Sequence, residues 1–256
     1  MSRAKTLRGV RAVLFDLVGT LTTSISSTQR NTAHDQVANA LGAPPDIYLK
    51  VLLDSYFDRA SGRRGSMEQT MRWVANCSGV DPTDVQLTRA CALRRAAERA
   101  HLRPRADAVR VLATLRSRGI RTAVVSDCTH EVPTAWPTFP LSPYVDAAVF
   151  SIEVGACKPD LEMYATACQR IGVPPEACLY VGDGGSRELT GARQAGMTAV
   201  RLVAPDSAKH AALLSERGWT GPVISSLAGV LPMVLGDRPP IPAPRDRRQP
   251  LVAATR

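Results

Sequence analysis

The strongest fold signal in the chain is Val13-Leu14-Phe15-Asp16-Leu17-Val18-Gly19-Thr20-Leu21. The apolar run Ala12–Phe15 predicts a short buried strand that ends in an acid, and Gly19-Thr20 then breaks the strand. A carboxylate at the carboxyl end of a parallel strand lies where open α/β sheets bind ligands. Taken alone, Asp16 is better explained as a turn cap, so its interpretation depends on the residues at the ends of the other strands.

Short apolar runs alternate with helical patterns in the second half of the chain, which predicts an α/β fold with a parallel sheet covered on both faces. Beyond the first strand, the runs predict strands at Thr122–Val125, Ala147–Phe150, Cys178–Val181 and Thr198–Val203. Further helices are expected at 206–216 and 226–235.

A block of helical patterns, from about residue 24 to residue 101, separates the first strand from the second. A polar linker is expected over Thr22–Gln29, and helical segments come after it at His34–Leu41, Ile47–Arg59, Met67–Cys77 and 81–100. An insertion at this point predicts a mobile cap over the strand ends. We therefore expect a core of residues 1–22 and 102–236, an all-helical cap of residues 23–101, and disorder in the Pro- and Arg-rich tail at 237–256.

Composition narrows the class of protein. The chain has 256 residues, 45% of them hydrophobic, which suffices for one large domain or two unequal ones. No apolar run approaches the ~20 residues of a membrane span, and the basic first ten residues lack the apolar stretch of a signal peptide. We expect a cytoplasmic protein without a membrane partner, present as a monomer or a homodimer. Six scattered cysteines without a CxxC pair indicate neither a zinc site nor a disulfide framework.

The charge of the chain is strongly basic, with a net charge of +9. Nucleic-acid binding would require a basic face interleaved with aromatic residues. Aromatic residues make up only 5% of the chain, and no nucleic-acid-binding motif is present. A solvated basic surface is therefore favoured over a nucleic-acid partner, although it can still attract anionic substrates.

Polar groups lie at the ends of four of the predicted strands: Asp16, Ser126-Asp127, Lys158 and Asp183. In a parallel sheet these strand ends lie on one edge and can converge. Two nearby carboxylates repel each other unless a cation lies between them, and a small all-oxygen ligand set suits Mg²⁺. Lys158 and the Ser126 hydroxyl could hold phosphate oxygens, and a carboxylate is an established nucleophile toward phosphorus.

These motifs resemble the haloacid dehalogenase superfamily, in the group with a helical cap inserted after the first strand. The matching residues are Asp16-Leu17-Val18-Gly19-Thr20, Ser126, Lys158-Pro159, Gly182-Asp183, Glu188 and Gly191-Ala192. The match covers about residues 10 to 204. It implies a Rossmann-like α/β core and hydrolysis of a small phosphorylated metabolite.

The resemblance also implies roles for individual residues. Asp16 would attack phosphorus to form an aspartyl-phosphate that water then hydrolyses. The Asp16 side chain, the Val18 carbonyl and Asp183 would hold Mg²⁺, with Glu188 orienting metal-bound water. The phosphate-binding residues are expected to be Ser126, Asp127 and Lys158, and Arg63-Arg64 in a cap loop could reach a second anionic group or simply be surface arginines.

Val18 departs from the family pattern, because phosphatases of the family carry a second Asp at this position. That Asp protonates the leaving oxygen and later activates water, a role worth ~10²–10⁴ in rate. Valine cannot move protons, although its carbonyl can still bind metal. A phosphatase would need a good leaving group or another acid, for which His34, His101, Glu131 and Asp127 are weak candidates.

Three further interpretations stay open. A dehalogenase-like enzyme needs no acid at position 18, but the family's dehalogenases lack the Gly-Asp metal motif that this chain keeps. A phosphonate hydrolase needs a cap lysine, and Lys50 is the only lysine in the predicted cap. Finally, the chain could bind a phosphorylated ligand without turning it over.

Overall fold

The first strand lies inside an all-parallel sheet in the computed structural model, which describes residues 7–207, 214–216 and 218–236. The strands in these residues are β1 (Ala12–Phe15), β2 (Arg121–Ser126), β3 (Ala147–Phe150), β4 (Cys178–Gly182), β5 (Thr198–Leu202) and β6 (Val223–Ile224). Their order is β3-β2-β1-β4-β5-β6, and every pairing is parallel. The predicted α/β fold with a parallel sheet is confirmed.

Helices cover both faces of this sheet and form the block between β1 and β2. In the described residues they are α1 (Ser27–Leu41), α2 (Pro45–Asp54), α3 (Tyr56–Ala60), α4 (Met67–Cys77), α5 (Asp84–His101), α6 (Ala108–Ser117), α7 (Glu131–Ala135), α8 (Ser151–Val154), α9 (Leu161–Ile171), α10 (Glu188–Gln194) and α11 (Val230–Leu235). Within the described ranges, no helix combines the length and apolar character required to cross a membrane.

Alternating side chains of β1 supply the two halves of the core. Val13 and Phe15 face one apolar cluster, which includes residues of α6, while Ala12 and Leu14 face the other, which includes residues of α9 and α10. All four side chains are fully buried, as expected for a central strand of a parallel sheet covered on both faces. The carboxyl end of β1 is thereby fixed between those of β2 and β4.

The helices α1, α2, α4 and α5 enclose a third apolar cluster, separate from the two at the sheet. Its largest fully buried side chains include Tyr48, Leu41 and Met71. We use the name cap for the helices α1 to α5. The predicted boundaries of the cap and of the core stay predictions.

Helix starts in the cap are determined by local capping. Ser26, Ser66 and Thr83 each accept a hydrogen bond from the backbone N–H three residues later, and a glutamine at that position completes a capping box. The prediction of a polar linker as far as Gln29 is wrong for this reason, because α1 already begins at Ser27.

The predicted strands are confirmed to within two residues at each end, whereas β6 was not predicted. Its two residues are too few to show a periodic pattern. The helix predicted at 226–235 corresponds to α11 and the short turn of helix before it. The helix predicted at 206–216 lies largely outside the described residues, as does the tail at 237–256.

The two connections between the sheet and the cap lie side by side, joined by an antiparallel bridge between Thr22 and Pro104. Next to this bridge, the Arg105 guanidinium donates to the carbonyls of Gly19 and Thr20, at 2.6 and 2.8 Å, and to Asp206 at 2.7 Å. The other oxygen of Asp206 accepts from the Ser24 N–H at 2.7 Å. Arg105 therefore connects the loop after β1, the start of the cap and the segment after β5.

We expect Arg105→Met to lower the free energy of unfolding by about 2–3 kcal/mol, because it removes three hydrogen bonds and leaves the Asp206 carboxylate without its cation. Urea denaturation measures the change. Arg110→Met, at an exposed position of α6, is the matched control and should stay within about 0.5 kcal/mol of the native chain.

The cost of Arg105→Met should also depend on pH. Burial raises the pKa of the Asp206 carboxyl, but its hydrogen bond to Arg105 lowers the pKa overall. Because the Asp206 pKa is lower in the folded chain than in the unfolded chain, the ionised carboxyl adds stability at pH values above its unfolded pKa of about 3.9. This stability is lost as the pH falls through the pKa of the folded state. An equal cost at about pH 7 and about pH 3 would show that the ion pair contributes nothing.

Candidate active site

A buried lysine, Lys158, bonds two acids: Asp16, which directly follows β1, and Glu188, which begins α10. The Lys158 ammonium donates to Asp16 Oδ1 at 2.6 Å and to Glu188 Oε2 at 2.7 Å. Its side chain is only 3% exposed. Burial alone would lower the pKa of Lys158, but Asp16 and Glu188 outweigh burial and raise the pKa well above its ordinary value. Lys158 is therefore a fixed positive charge beside the Asp16 carboxylate.

Glu188 is held from several directions at the start of α10. Its Oε2 also accepts from the Tyr180 hydroxyl at 2.8 Å, and its Oε1 accepts from the Gly184 N–H at 2.9 Å. Burial raises the pKa of Glu188 well above its ordinary value, and the Asp16 charge adds to this effect. Gly182 lies directly against this carboxylate, where an added Cβ would collide with it. A side chain at position 182 would therefore displace Glu188.

Asp183 completes a group of acids at the strand ends. Ligand oxygens of Asp16, Asp183 and Glu188 all lie within 4.8 Å of one another. Asp183 Oδ1 accepts from the Gly185 N–H at 2.8 Å, and Gly19, with φ of +86°, brings the loop after β1 against the same carboxylate. The hydrogen bonds on Glu188 occupy both of its oxygens, so Asp16 and Asp183 are the better candidates for cation ligands.

This donor set fits Mg²⁺, because carboxylate oxygens at close quarters favour a hard cation and need one to offset their mutual repulsion. Asp16 and Asp183 would be the side-chain ligands. Val18, whose carbonyl the family pattern assigns to the metal, lies in the loop after β1 and lines the same cavity.

The end of β2 places two polar atoms beside this group without protein partners. Within the described residues, neither Ser126 Oγ nor Asp127 Oδ2 has a hydrogen-bond partner. Asp127 Oδ1 accepts from the Lys158 N–H at 2.9 Å. Burial, with a further contribution from Asp16, raises the pKa of Asp127. Unsatisfied buried polar atoms are costly, and a ligand in the cavity that Asp127 lines is a natural partner for its Oδ2.

A cavity of about 250 Å³ lies between these strand ends and the cap. Core residues in its wall include Asp16, Val18, Asp127, Lys158, Asp183 and Glu188, and cap residues include Arg30, His34, Tyr56, Arg59, Arg94, Glu98 and His101. Most of the predicted site residues therefore share one cavity. Ser126 is buried directly before Asp127 and is not part of the wall.

The predicted cap contacts lie elsewhere. Arg63 and Arg64 both pair with Asp58, and the Arg64 guanidinium stacks 3.8 Å from the centre of the Trp73 ring. Neither arginine lines the cavity. Lys50 is 75% exposed and pairs with Asp54. The cap side of the cavity instead carries Arg30, Arg59, Arg94 and Glu98, which no sequence motif had indicated.

The candidate acids differ in their protonation. Burial, followed by the Arg94 charge, lowers the pKa of His34 to about 4, and burial also lowers the pKa of His101. Burial would raise the pKa of Glu131, but its ion pair with Arg94 lowers the pKa overall. These three groups are therefore poor proton donors at neutral pH, whereas Asp127, with its raised pKa, is a better one.

Relatives of known sequence include phosphatases. A glyceraldehyde 3-phosphate phosphatase of Methanopyrus kandleri is 26% identical over 200 residues, which cover 75% of this chain and 84% of the relative. A second protein of that name, from Methanothermobacter thermautotrophicus, is 32% identical over 100 residues, which cover 39% of this chain and 44% of the relative.

Solved structures share the fold across most of the chain. A HAD phosphatase from Thermococcus onnurineus superposes with a TM-score of 0.62 at 21% identity, covering 90% of this chain and all of that one. An L-2-haloacid dehalogenase from Xanthobacter autotrophicus gives 0.59 at 20% identity, covering 87% of this chain and 98% of that one. The sequence profile of the haloacid dehalogenase-like hydrolases matches residues 10–196. Because that match covers most of the chain, the protein belongs to the haloacid dehalogenase-like hydrolase family.

Proposed function

We propose that this hydrolase is a Mg²⁺-dependent phosphatase that acts on a small phosphorylated metabolite through an aspartyl-phosphate on Asp16. The observation that carries the proposal is the buried Lys158 ammonium, which holds the Asp16 carboxylate at 2.6 Å in a cavity that Asp183 also lines. The relatives named as phosphatases support the same reaction class.

Each residue has a distinct task in this reaction. Lys158 fixes the orientation of the Asp16 carboxylate and offers positive charge to the phosphate oxygens, where charge develops during transfer. An Asp16 oxygen forms a bond to phosphorus as the bond to the leaving oxygen breaks. Water then attacks the aspartyl-phosphate, releasing inorganic phosphate and restoring Asp16. Ser126, predicted as a phosphate-binding residue, lies behind the wall of the cavity, so its contact with phosphate stays a prediction.

Asp16, Asp183 and the Val18 carbonyl would hold the metal ion. Bound Mg²⁺ would offset the negative charge that the two carboxylates and the phosphate bring together. Glu188 would orient this set, since its own oxygens are already engaged with Lys158, Tyr180 and Gly184.

The source of the leaving-group proton is the feature that separates this chain from the family pattern. Val18 cannot supply it, and of the side chains considered as substitutes Asp127 is the one with a raised pKa. A substrate with a good leaving group needs no proton donor. We therefore propose that acyl phosphates and other activated esters react faster than simple alkyl phosphates.

The other hydrolase chemistries are less well supported. Phosphonate cleavage requires a cap lysine in the cavity, and Lys50 is exposed and outside the cavity wall. Carbon–halogen cleavage needs no metal ion and therefore no acid at position 183. In this chain the Asp183 carboxylate lies close enough to Asp16 to share a cation with it, which favours the metal-dependent reaction.

Asp16→Asn should lower phosphate release from acetyl phosphate in the presence of Mg²⁺ by at least about 10³-fold, because the amide is not a nucleophile. Asp183→Asn should make activity depend on much higher Mg²⁺ concentrations, and EDTA should abolish the activity of the native chain. Asp54→Asn, on the exposed surface of α2, serves as the control with unchanged rate. Phosphate release that survives Asp16→Asn would contradict the proposal.

Val18→Asp should raise the rate on glycerol 3-phosphate by about tenfold or more and change the rate on acetyl phosphate much less. The new carboxyl restores a proton donor, which only the poor leaving group requires. Val18→Asn is the matched variant of similar size that lacks an ionisable group. An equal gain on both substrates, or an equal gain with Asn, would show that proton donation is not what the native chain lacks.

A further inference from the structure

We propose that Arg59 forms a second anion-binding subsite in the cavity, and that among small phosphorylated substrates with similar leaving groups the enzyme prefers one that also carries a carboxylate. This inference rests on the proposed function, because it places the phosphate of the same ligand at Asp16 and Lys158.

The Arg59 guanidinium is buried and only partly satisfied. The residue is 3% exposed. Its Nε donates to Ser55 Oγ at 3.1 Å and its Nη2 to the Leu52 carbonyl at 2.7 Å. Within the described residues Nη1 makes no hydrogen bond, and no carboxylate oxygen lies within 4.0 Å of the guanidinium nitrogens.

The nearest charges leave Arg59 without a counter-ion. Glu131, the acid on the core side, is bonded to Arg94 and to Thr129. Arg94 is itself a cation close enough to oppose the Arg59 charge: burial, with Arg94 as the next cause, lowers the pKa of Arg59 to about 10. Arg59 therefore remains charged at neutral pH, while Glu131, the acid whose charge acts on it, is already paired with Arg94. Buried charges are normally paired.

The cavity shows where that anion would come from. Arg59 and Lys158 line the same space of about 250 Å³, Arg59 from the cap and Lys158 from the core. A ligand that fills this space meets Lys158 on the core side and Arg59 on the cap side. The free Nη1 edge presents two N–H donors, which suits a compact monoanion such as a carboxylate.

This subsite distinguishes the chain from its relatives' named substrate, because glyceraldehyde 3-phosphate carries no second anionic group. The acid with the same carbon skeleton, 3-phosphoglycerate, replaces the aldehyde by a carboxylate and leaves the phosphate ester unchanged. The two compounds therefore form a matched pair with similar leaving groups.

The test compares kcat/KM for 3-phosphoglycerate and glyceraldehyde 3-phosphate in the native chain, in Arg59→Met and in Arg59→Lys. We expect the native chain to prefer the acid by about tenfold or more, Arg59→Met to bring the ratio close to one, and Arg59→Lys to restore part of it. Arg72→Met on α4, outside the cavity wall, is the control. The same two substrates are also measured in Val18→Asp, where faster hydrolysis of alkyl phosphates makes the ratio of kcat/KM easier to determine.

Binding of two phosphonates, 3-phosphonopropionate and propylphosphonate, gives a readout that requires no turnover. Tighter binding of the carboxylated compound, lost in Arg59→Met, would support the subsite even if neither ester were hydrolysed. In that case only the proposed function fails.

Equal binding and equal kcat/KM within each pair would overturn the subsite while leaving the phosphatase intact. Loss of selectivity in Arg63→Met or Arg64→Met instead of Arg59→Met would also overturn it. A preference for bisphosphates over the acid would replace carboxylate by a second phosphate and overturn the proposed substrate class.

Discussion

The site depends on one buried ammonium group placed between two carboxylates. Without Lys158, Asp16 and Glu188 would be buried next to each other with nothing to offset their repulsion, and Asp183 would add to it. Burial of such charges is tolerated only where the geometry pairs them and satisfies their remaining hydrogen bonds. Tyr180 and the Gly184 N–H supply those bonds to Glu188. The loop after β4 must therefore fold around Glu188 in one conformation, and the absence of a side chain at Gly182 permits it.

The cap and the core are in close contact around the cavity. The Tyr56 hydroxyl donates to the Asp127 carbonyl at 2.9 Å, and the Ser151 hydroxyl donates to the Ala60 carbonyl at 2.8 Å. The ion pair between Arg94 and Glu131 adds a third connection. These three contacts hold the cap helices against the strand ends beside the cavity.

The strand ends could be found from the sequence because their signal is local. An apolar run with an acid directly after it marks the ends of β1 and β4, and the parallel pairing of the sheet brings Asp16 and Asp183 together. Lys158 comes only after β3 and α8, and the Lys158-Pro159 pair of the family pattern indicates it. The capping box at Ser26 was also visible in the sequence, but a Ser- and Thr-rich segment equally indicates a linker. The β6 strand has too few residues to be recognised by periodicity.

The cap side of the cavity could not be predicted, and the reason is geometric. The sequence pattern treats Ile47–Arg59 as one helix, whereas the structure ends α2 at Asp54 and begins α3 at Tyr56. Ser55 between them has non-helical backbone angles, φ −102° and ψ 11°. The face on which Arg59 lies therefore cannot be read from the periodicity of one continuous helix.

The short helix α3 carries Tyr56, which contacts the core, and Arg59, which faces the cavity, three residues apart. Because one helical turn joins them, the hydrogen bond from the Tyr56 hydroxyl to the Asp127 carbonyl also fixes where Arg59 lies relative to the strand ends. The spacing between Arg59 and Lys158 is therefore set by a contact that the ligand does not make, and the length of a ligand decides whether it can reach both cations.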